Sequence, residues 1–183
     1  MVLRSVRMDD VDRFVALDTE PEVLRYIDRH PPTRDRTAAG VAELLERHRD
    51  HPGLGRLVAE DPSGRFLGWF GLLIGDDPGE LGLGWRLRRR QWGRGLATEG
   101  GRALVDHAFA RRWVRRVTAE TMAVNERSRR VMVKCGLRYL RTCHIPFDDP
   151  LPGTEHGEVE YGITRAEWSA RRSNHHEPDG FPG

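Results

Sequence analysis

Lysine is almost missing from this chain. Lys134 is the only one, and arginine supplies the other cations. Arginine grips carboxylates and phosphates with two parallel hydrogen bonds and stays charged when partly desolvated. A biased genome composition gives the same excess, so arginine content alone names no ligand. Cysteine is scarce as well. Cys135 and Cys143 show neither a metal-type spacing nor a disulfide framework. Cys135 falls on the apolar face of a predicted helix and is expected as a buried thiol. No apolar run reaches ~18 residues, which excludes a helical membrane span. Residues 1–7 lack the apolar stretch of a secretion signal. The net charge is only +2, and no nucleic-acid-binding motif accompanies it, which argues against a DNA or RNA partner. The expectation is a soluble cytoplasmic protein. A chain of 183 residues suits one domain with a sizeable core. That domain is expected over 1–172, with a disordered polar tail at 173–183.

Periodicity places the elements. Residues 2–7 alternate as a short strand. Asp9 or Asp10 can cap a helix running to about Asp18. A short helix is expected over 20–28, stopped by Pro31-Pro32, and a longer one over 34–49. A hairpin follows, with strands at 55–60 and 65–73 about the turn Asp61-Pro62-Ser63-Gly64. The strand at 80–87 sets Leu81, Leu83, Trp85 and Leu87 on one face and Glu80, Gly82, Gly84 and Arg86 on the other. Its two glycines leave room for something bulky, or mark a bulge. A helix over 96–112, a strand over 115–124, a helix capped by Asn125 and ended by Gly136, strands at 137–146 and 158–163, and a helix over 165–172 complete the chain. The pattern is a mixed α/β layer arrangement, not a Rossmann alternation.

The most informative run is Trp92-Gly93-Arg94-Gly95-Leu96-Ala97-Thr98-Glu99. It is a basic, glycine-rich turn that opens directly onto a helix. The first amides of a helix have no partner within it, and the helix dipole favours negative charge there. Such a turn binds phosphate.

The strand at 80–87, this turn, its helix, the next strand and then Asn125-Glu126-Arg127-Ser128 together resemble the GNAT superfamily of N-acetyltransferases. The Trp-Gly-Arg-Gly-Leu-Ala-Thr-Glu form is similar to the RimJ/RimL-like subgroup. The resemblance implies a central, mixed, mostly antiparallel twisted sheet of about seven strands flanked by helices. It also implies a V-shaped splay between the strands at 80–87 and 115–124. The superfamily's phosphate motif, Gln/Arg-x-x-Gly-x-Gly/Ala, fits in two registers, starting at Arg90 or at Trp92. The second sets the phosphates at the helix start, so Arg94, Gly95, Leu96, Ala97 and Thr98 are expected to hold the pyrophosphate of acetyl-CoA. Arg88, Arg89, Arg90 and Arg94 would add a favourable field. Trp85, Arg86 and Leu87 match the strand positions whose backbone pairs with pantetheine, and Asn125 and Ser128 are further contacts to the cofactor. No metal is implied.

The implied reaction is acetyl transfer from acetyl-CoA to a primary amine, on a protein N-terminus or a small molecule, by direct attack on the thioester. Many relatives use a tyrosine at the position of Met132 to protonate the leaving thiolate. Ser128, Val131, Met132 and Cys135 share one helical face, and RimL-like members use a serine matching Ser128. Ser128 is therefore the expected proton donor, although a serine in a first helical turn also serves simply as a local hydrogen-bonding group. The attacking amine must first lose a proton. Glu80 is the first candidate base, with Glu120, His144, His156 and Glu158 as alternatives. A catalytically inactive acyl-CoA-binding regulator is the alternative reading. The expected partners are acetyl-CoA and an amine acceptor, with neither nucleic acid nor membrane, and a homodimer is admissible.

Overall fold

The computed structural model describes residues 1–75, 77–147 and 149–174. Its strands are β1 (Val2–Ser5), β2 (Gly55–Glu60), β3 (Phe66–Ile74), β4 (Glu80–Leu87), β5 (Arg116–Met122), β6 (Arg138–Cys143) and β7 (Glu158–Thr164). They form one seven-stranded sheet in the order β1-β2-β3-β4-β5-β7-β6. Every neighbouring pair is antiparallel except β4 and β5. The helices are α1 (Val11–Asp18), α2 (Pro21–Leu24), α3 (Arg34–Asp50), α4 (Leu96–Phe109), α5 (Glu126–Lys134) and α6 (Arg165–Asn174). The mixed, mostly antiparallel α/β sheet expected from the sequence is the observed architecture.

The alternation of β4 decides which layer covers which face. Leu81, Leu83 and Leu87 are buried with Phe70 and Leu72 of β3 under Leu104, Val105 and Phe109 of α4 and Met132 of α5. The opposite face packs Val58 and Trp69 against Phe14, Leu17 and Val41 of the N-terminal helices. The bulky group expected over the bare side of β4 is Trp69, whose ring lies 3.5 Å from where a Gly84 Cβ would stand. Small residues bring α4 close on the other face. A Cβ on Gly100 would come within 2.5 Å of the Phe70 ring, and one on Gly101 within 2.5 Å of Cys135 Sγ. Cys135 is buried and unpaired, and burial pushes its thiol up to about 11.

Asp10 ties the first helix to the sheet. It is 1% exposed and accepts hydrogen bonds from both Arg4 amino groups at 2.7 Å and from the Arg7 amide at 2.8 Å. Glu60 closes the network through Arg4 and Arg13. Burial alone raises the Asp10 carboxyl, but these donors outweigh it and hold it below the usual range.

Several boundaries differ from expectation. The helix expected over 20–28 is the single turn α2, started by Pro21 at its first position. After it the Leu24 carbonyl accepts from the amides of both Ile27 and Asp28, so the chain winds on as turns. The helix expected to reach residue 112 stops at Phe109, where the Arg165 side chain bonds the Phe109 carbonyl. Ser173 and Asn174, expected in the tail, belong to α6. The rest of that expected tail, residues 175–183, lies outside the described residues.

Candidate active site

The parallel strands β4 and β5 pair over only three positions, Glu80–Arg116, Leu81–Val117 and Gly82–Thr118. Beyond Gly82 they part, so the V begins there. The Arg88 amide donates to the Leu67 carbonyl of β3. By the alternation of strand hydrogen bonds, the main-chain groups of Leu83, Trp85 and Leu87 therefore face the V. The Leu87 carbonyl takes the Trp92 indole N–H at 2.8 Å. The Trp85 main chain is left facing the gap, with its side chain half-buried against the main core. Arg86 has the other orientation. Its main chain faces β3, and its guanidinium bonds Asp18 at 2.5 Å on the opposite side of the sheet.

The wide end of the V meets the start of α4. Gly93 and Gly95 both adopt left-handed backbone, at φ +75° and +79°, which glycine alone adopts without strain. Gly95 is the residue before the helix and caps it with no side chain. The first helical amide to find a main-chain partner is that of Glu99, on the Gly95 carbonyl. The amides of Leu96, Ala97 and Thr98 precede it and have no partner in the helix. Nothing stands within 4 Å of a Cβ built on Gly93 or Gly95. The cradle is therefore open, and its amides and dipole fit a pyrophosphate.

The arginines around it divide. Arg88 and Arg89 bond Glu20 and Glu22 at 2.8 and 2.9 Å and fasten α2 to the loop. Arg94 turns to the buried Gln91 side chain. Arg127 was not singled out from the sequence. It lies 5.5 Å from the Trp92 ring centre and brings a cation from the first turn of α5 beside the cradle. Its position in the run Asn125-Glu126-Arg127-Ser128 was the available signal.

Asn125 caps α5 by accepting from the Ser128 amide at 3.2 Å, and its amide donates to Thr121 Oγ1 at 3.0 Å. The Ser128 hydroxyl is half-buried and makes no hydrogen bond among the described residues. Met132, on the same face, is 1% exposed. The candidate bases separate by environment. Glu80 sits at the closed end of the V, accepts from Thr118 Oγ1 at 3.0 Å and pairs with Arg116 at 3.6 Å. Glu158 stands opposite Met122, at the far end of β5. Burial, then the neighbouring Glu120 charge, pushes its carboxyl above the usual range. His144 is exposed on the β6–β7 connection, and His156 pairs with Glu155 at 3.6 Å.

An open V leading to a helix start with three amides that have no partner in the helix can take an extended ligand that ends in a phosphate. The family described as "Acetyltransferase (GNAT) domain" matches residues 1–138. The chain belongs to the GNAT acetyltransferase family. It is 36% identical over 161 residues to the FsC-acetyl coenzyme A-N(2)-transacetylase of Aspergillus fumigatus, a match covering 83% of this chain and 68% of that one. It is 30% identical over 142 residues to the uncharacterized protein YkkB of Bacillus subtilis, covering 74% of this chain and 81% of that one. Among solved structures, the fold is shared with spermidine N-acetyltransferase from Vibrio cholerae in complex with CoA and spermine. That likeness has TM-score 0.75 at 16% identity and covers 92% of this chain and 97% of that one. It is shared also with the aminoglycoside acetyltransferase AAC(6')-Ib in complex with coenzyme A, at TM-score 0.75 and 20% identity, covering 93% and 98%. This GNAT protein is an acetyl-CoA-dependent N-acetyltransferase, moving the acetyl group to an amine.

Proposed function

We propose that residues 1–172 form one acetyltransferase domain of RimJ/RimL-like type, acting in the cytoplasm on a protein N-terminus or a small primary amine. The observation that carries the reading of its site is the unpaired edge of β4 beyond Gly82, followed one loop later by the free amides at the start of α4. Gly95, Leu96, Ala97 and Thr98 hold the pyrophosphate of acetyl-CoA through main-chain N–H groups, with Arg94 at the rim. Trp85 and Leu87 present main-chain groups to the pantetheine. Arg86 directs its side chain to the opposite face of the sheet, where it bonds Asp18. Asn125 fixes the first turn of α5, so that the Ser128 hydroxyl faces the leaving sulfur, hydrogen-bonds it and helps protonate it by passing on a proton taken up from water.

A protonated amine cannot attack, so a base must take its proton. Glu80 stays engaged with Thr118 and Arg116. The raised carboxyl of Glu158 is better matched to the task, because a base works best with its pKa near the working pH. A homodimer is compatible with this site, which draws all its named residues from one chain.

The test is an amine panel with acetyl-CoA, read as free thiol released over time. Acceptor-dependent release is expected. Ser128→Ala is expected to lower kcat by about 10²-fold, the low end of general acid–base contributions, with acetyl-CoA binding retained. Unchanged turnover in that variant removes Ser128 from the chemistry. Absence of release with every amine refutes the acceptor reading.

A further inference from the structure

On the far side of β4 from the α4 cradle lies a cavity of about 280 Å³, lined by α1, α2 and the connection after it, α3, β2 and β4. Its charged lining among the described residues is Arg36, Arg56 and Arg86 against Asp18 and Asp28. These charges are not matched. Asp18 is taken by Arg86 Nη1 at 2.5 Å. Asp28 is exposed at the rim and accepts from the His30 amide at 3.1 Å. Arg86 Nε is buried and has no acceptor. Arg56 stacks over the Trp69 ring, 4.5 Å from its centre, and among the described residues no carboxylate lies within ion-pair reach of it. Burial, and then the nearby Arg86 charge, lowers the Arg56 pKa against a smaller opposing pull from Asp18, so its guanidinium is held charged at a cost.

A guanidinium only donates, and buried donors without acceptors are rare. The ligand that answers the orphaned Arg86 Nε beside the half-buried Arg56 guanidinium is a planar anion with two acceptor oxygens. The register places this pair beside the donor site. Arg56 is in line with Gly71 and, through it, with Gly84 of β4, and Trp69 is in line with Arg86. Gly84 and Arg86 belong to the stretch of β4 that has left β5. The cavity is at the lower edge of small-molecule site volumes, about 300–1,000 Å³, which suits a compact head group.

We propose that this cavity selects acceptors that carry a carboxylate as well as the reacting amine, with Arg56 and Arg86 holding the carboxylate and Arg36 closing the rim. The assignment rests on the amine-acetylating reading above. It sets a substrate class, amino acids and amino-acid-derived amines, apart from plain polyamines.

The test uses pairs that differ only by the carboxylate: lysine against cadaverine, and ornithine against putrescine. Binding of each to the CoA-loaded protein is measured by calorimetry, and turnover by thiol release. The carboxylated member of at least one pair is expected to bind at least about tenfold more tightly, the fold-change of one charge-assisted hydrogen bond. Arg56→Gln and, separately, the exposed Arg36→Gln are expected to collapse that ratio by weakening the carboxylated member. Melting temperatures confirm that each variant is folded. Equal or weaker binding of the carboxylated member in both pairs, or no binding of either, overturns the proposal. A preference that survives both substitutions also overturns it, because the anion is then held elsewhere. Tight, arginine-dependent binding of lysine or ornithine without thiol release upholds the anion cavity while refuting acetylation of that class.

Discussion

Gly95→Ala separates the two things asked of the cradle glycine, its backbone shape and its lack of a side chain. The residue sits at φ +79°, ψ −8°, where an L-residue with a Cβ costs about 1–2 kcal/mol. No atom lies within 4 Å of the added Cβ, so the penalty in the free protein is conformational and not steric. For a chain of this size each kcal/mol moves the melting temperature by roughly 2–4 °C, giving a fall of about 2–8 °C. The open space above Gly95 is where the pyrophosphate lies in the proposed site. A methyl there pushes the anion off amides whose charged hydrogen bonds are worth about 1.5–3 kcal/mol each. Loss of one such bond weakens CoA binding about tenfold or more. Gly95→Asn is the control. Asparagine tolerates the left-handed region and recovers much of the stability, yet its Cβ still crowds the ligand. Melting curves without ligand and calorimetric titration with CoA read the two effects separately. An Ala variant that melts and binds like the parent refutes the cap geometry. An Asn variant that restores CoA affinity along with stability refutes the placement of the phosphates.

Gly100→Ala should destabilise the protein although alanine favours helices by about 1 kcal/mol. The new Cβ meets the fully buried Phe70 ring at 2.5 Å, and overpacking of about 1–3 kcal/mol outweighs the gain. Gly40→Ala on α3, with nothing within 4 Å, should stabilise by up to about 1 kcal/mol, and urea midpoints compare the two. If Glu158 is the base, the acid limb of kcat/KM follows its raised pKa. Removing the Glu120 charge favours the ionised form, so Glu120→Gln should move that limb to lower pH, whereas Glu158→Gln should abolish it with a loss of about 10²-fold or more. A limb that ignores both substitutions assigns the base elsewhere. The lowered carboxyls of Asp10 and Glu60 contribute stability that is complete above their unfolded values near 4. It is lost as pH falls through their lower folded values. Asp10→Asn leaves Arg4 and Arg13 with Glu60 as their remaining carboxylate, and should cost about 1–3 kcal/mol at neutral pH and flatten the acid dependence of the urea midpoint.

The parts of the site that obey a local rule were legible in the sequence. The two-residue alternation of β4, the Asn125 cap and the glycine turn at the head of α4 each need only neighbouring residues to be recognised. Distant partners decided the rest. Nothing near Arg88 or Arg89 reveals that Glu20 and Glu22 neutralise them from 67 or 68 positions away, so a basic loop was expected to be freer than it is. Trp69 as the occupant above Gly84 depends on strand register, which the glycine spacing signals only as an unfilled space. The cavity of Arg56 and Arg86 had no motif to announce it, because its members come from five separate elements. Helix ends were least legible where a remote side chain fixes them, as Arg165 does at Phe109.

The three-pair contact between β4 and β5 has a consequence for the protein as a machine. A sheet of seven strands is ordinarily laced along its whole width, but here its two halves share a seam only three residues long. A ligand lying in the open part of that seam would behave as a strand supplied from outside. Occupancy and mechanical integrity are then one quantity. The empty enzyme should open first along this line, with amides of β4 beyond Gly82 exchanging early with solvent. Donor binding should slow that exchange on both sides at once, raising the stability of the whole by mass action.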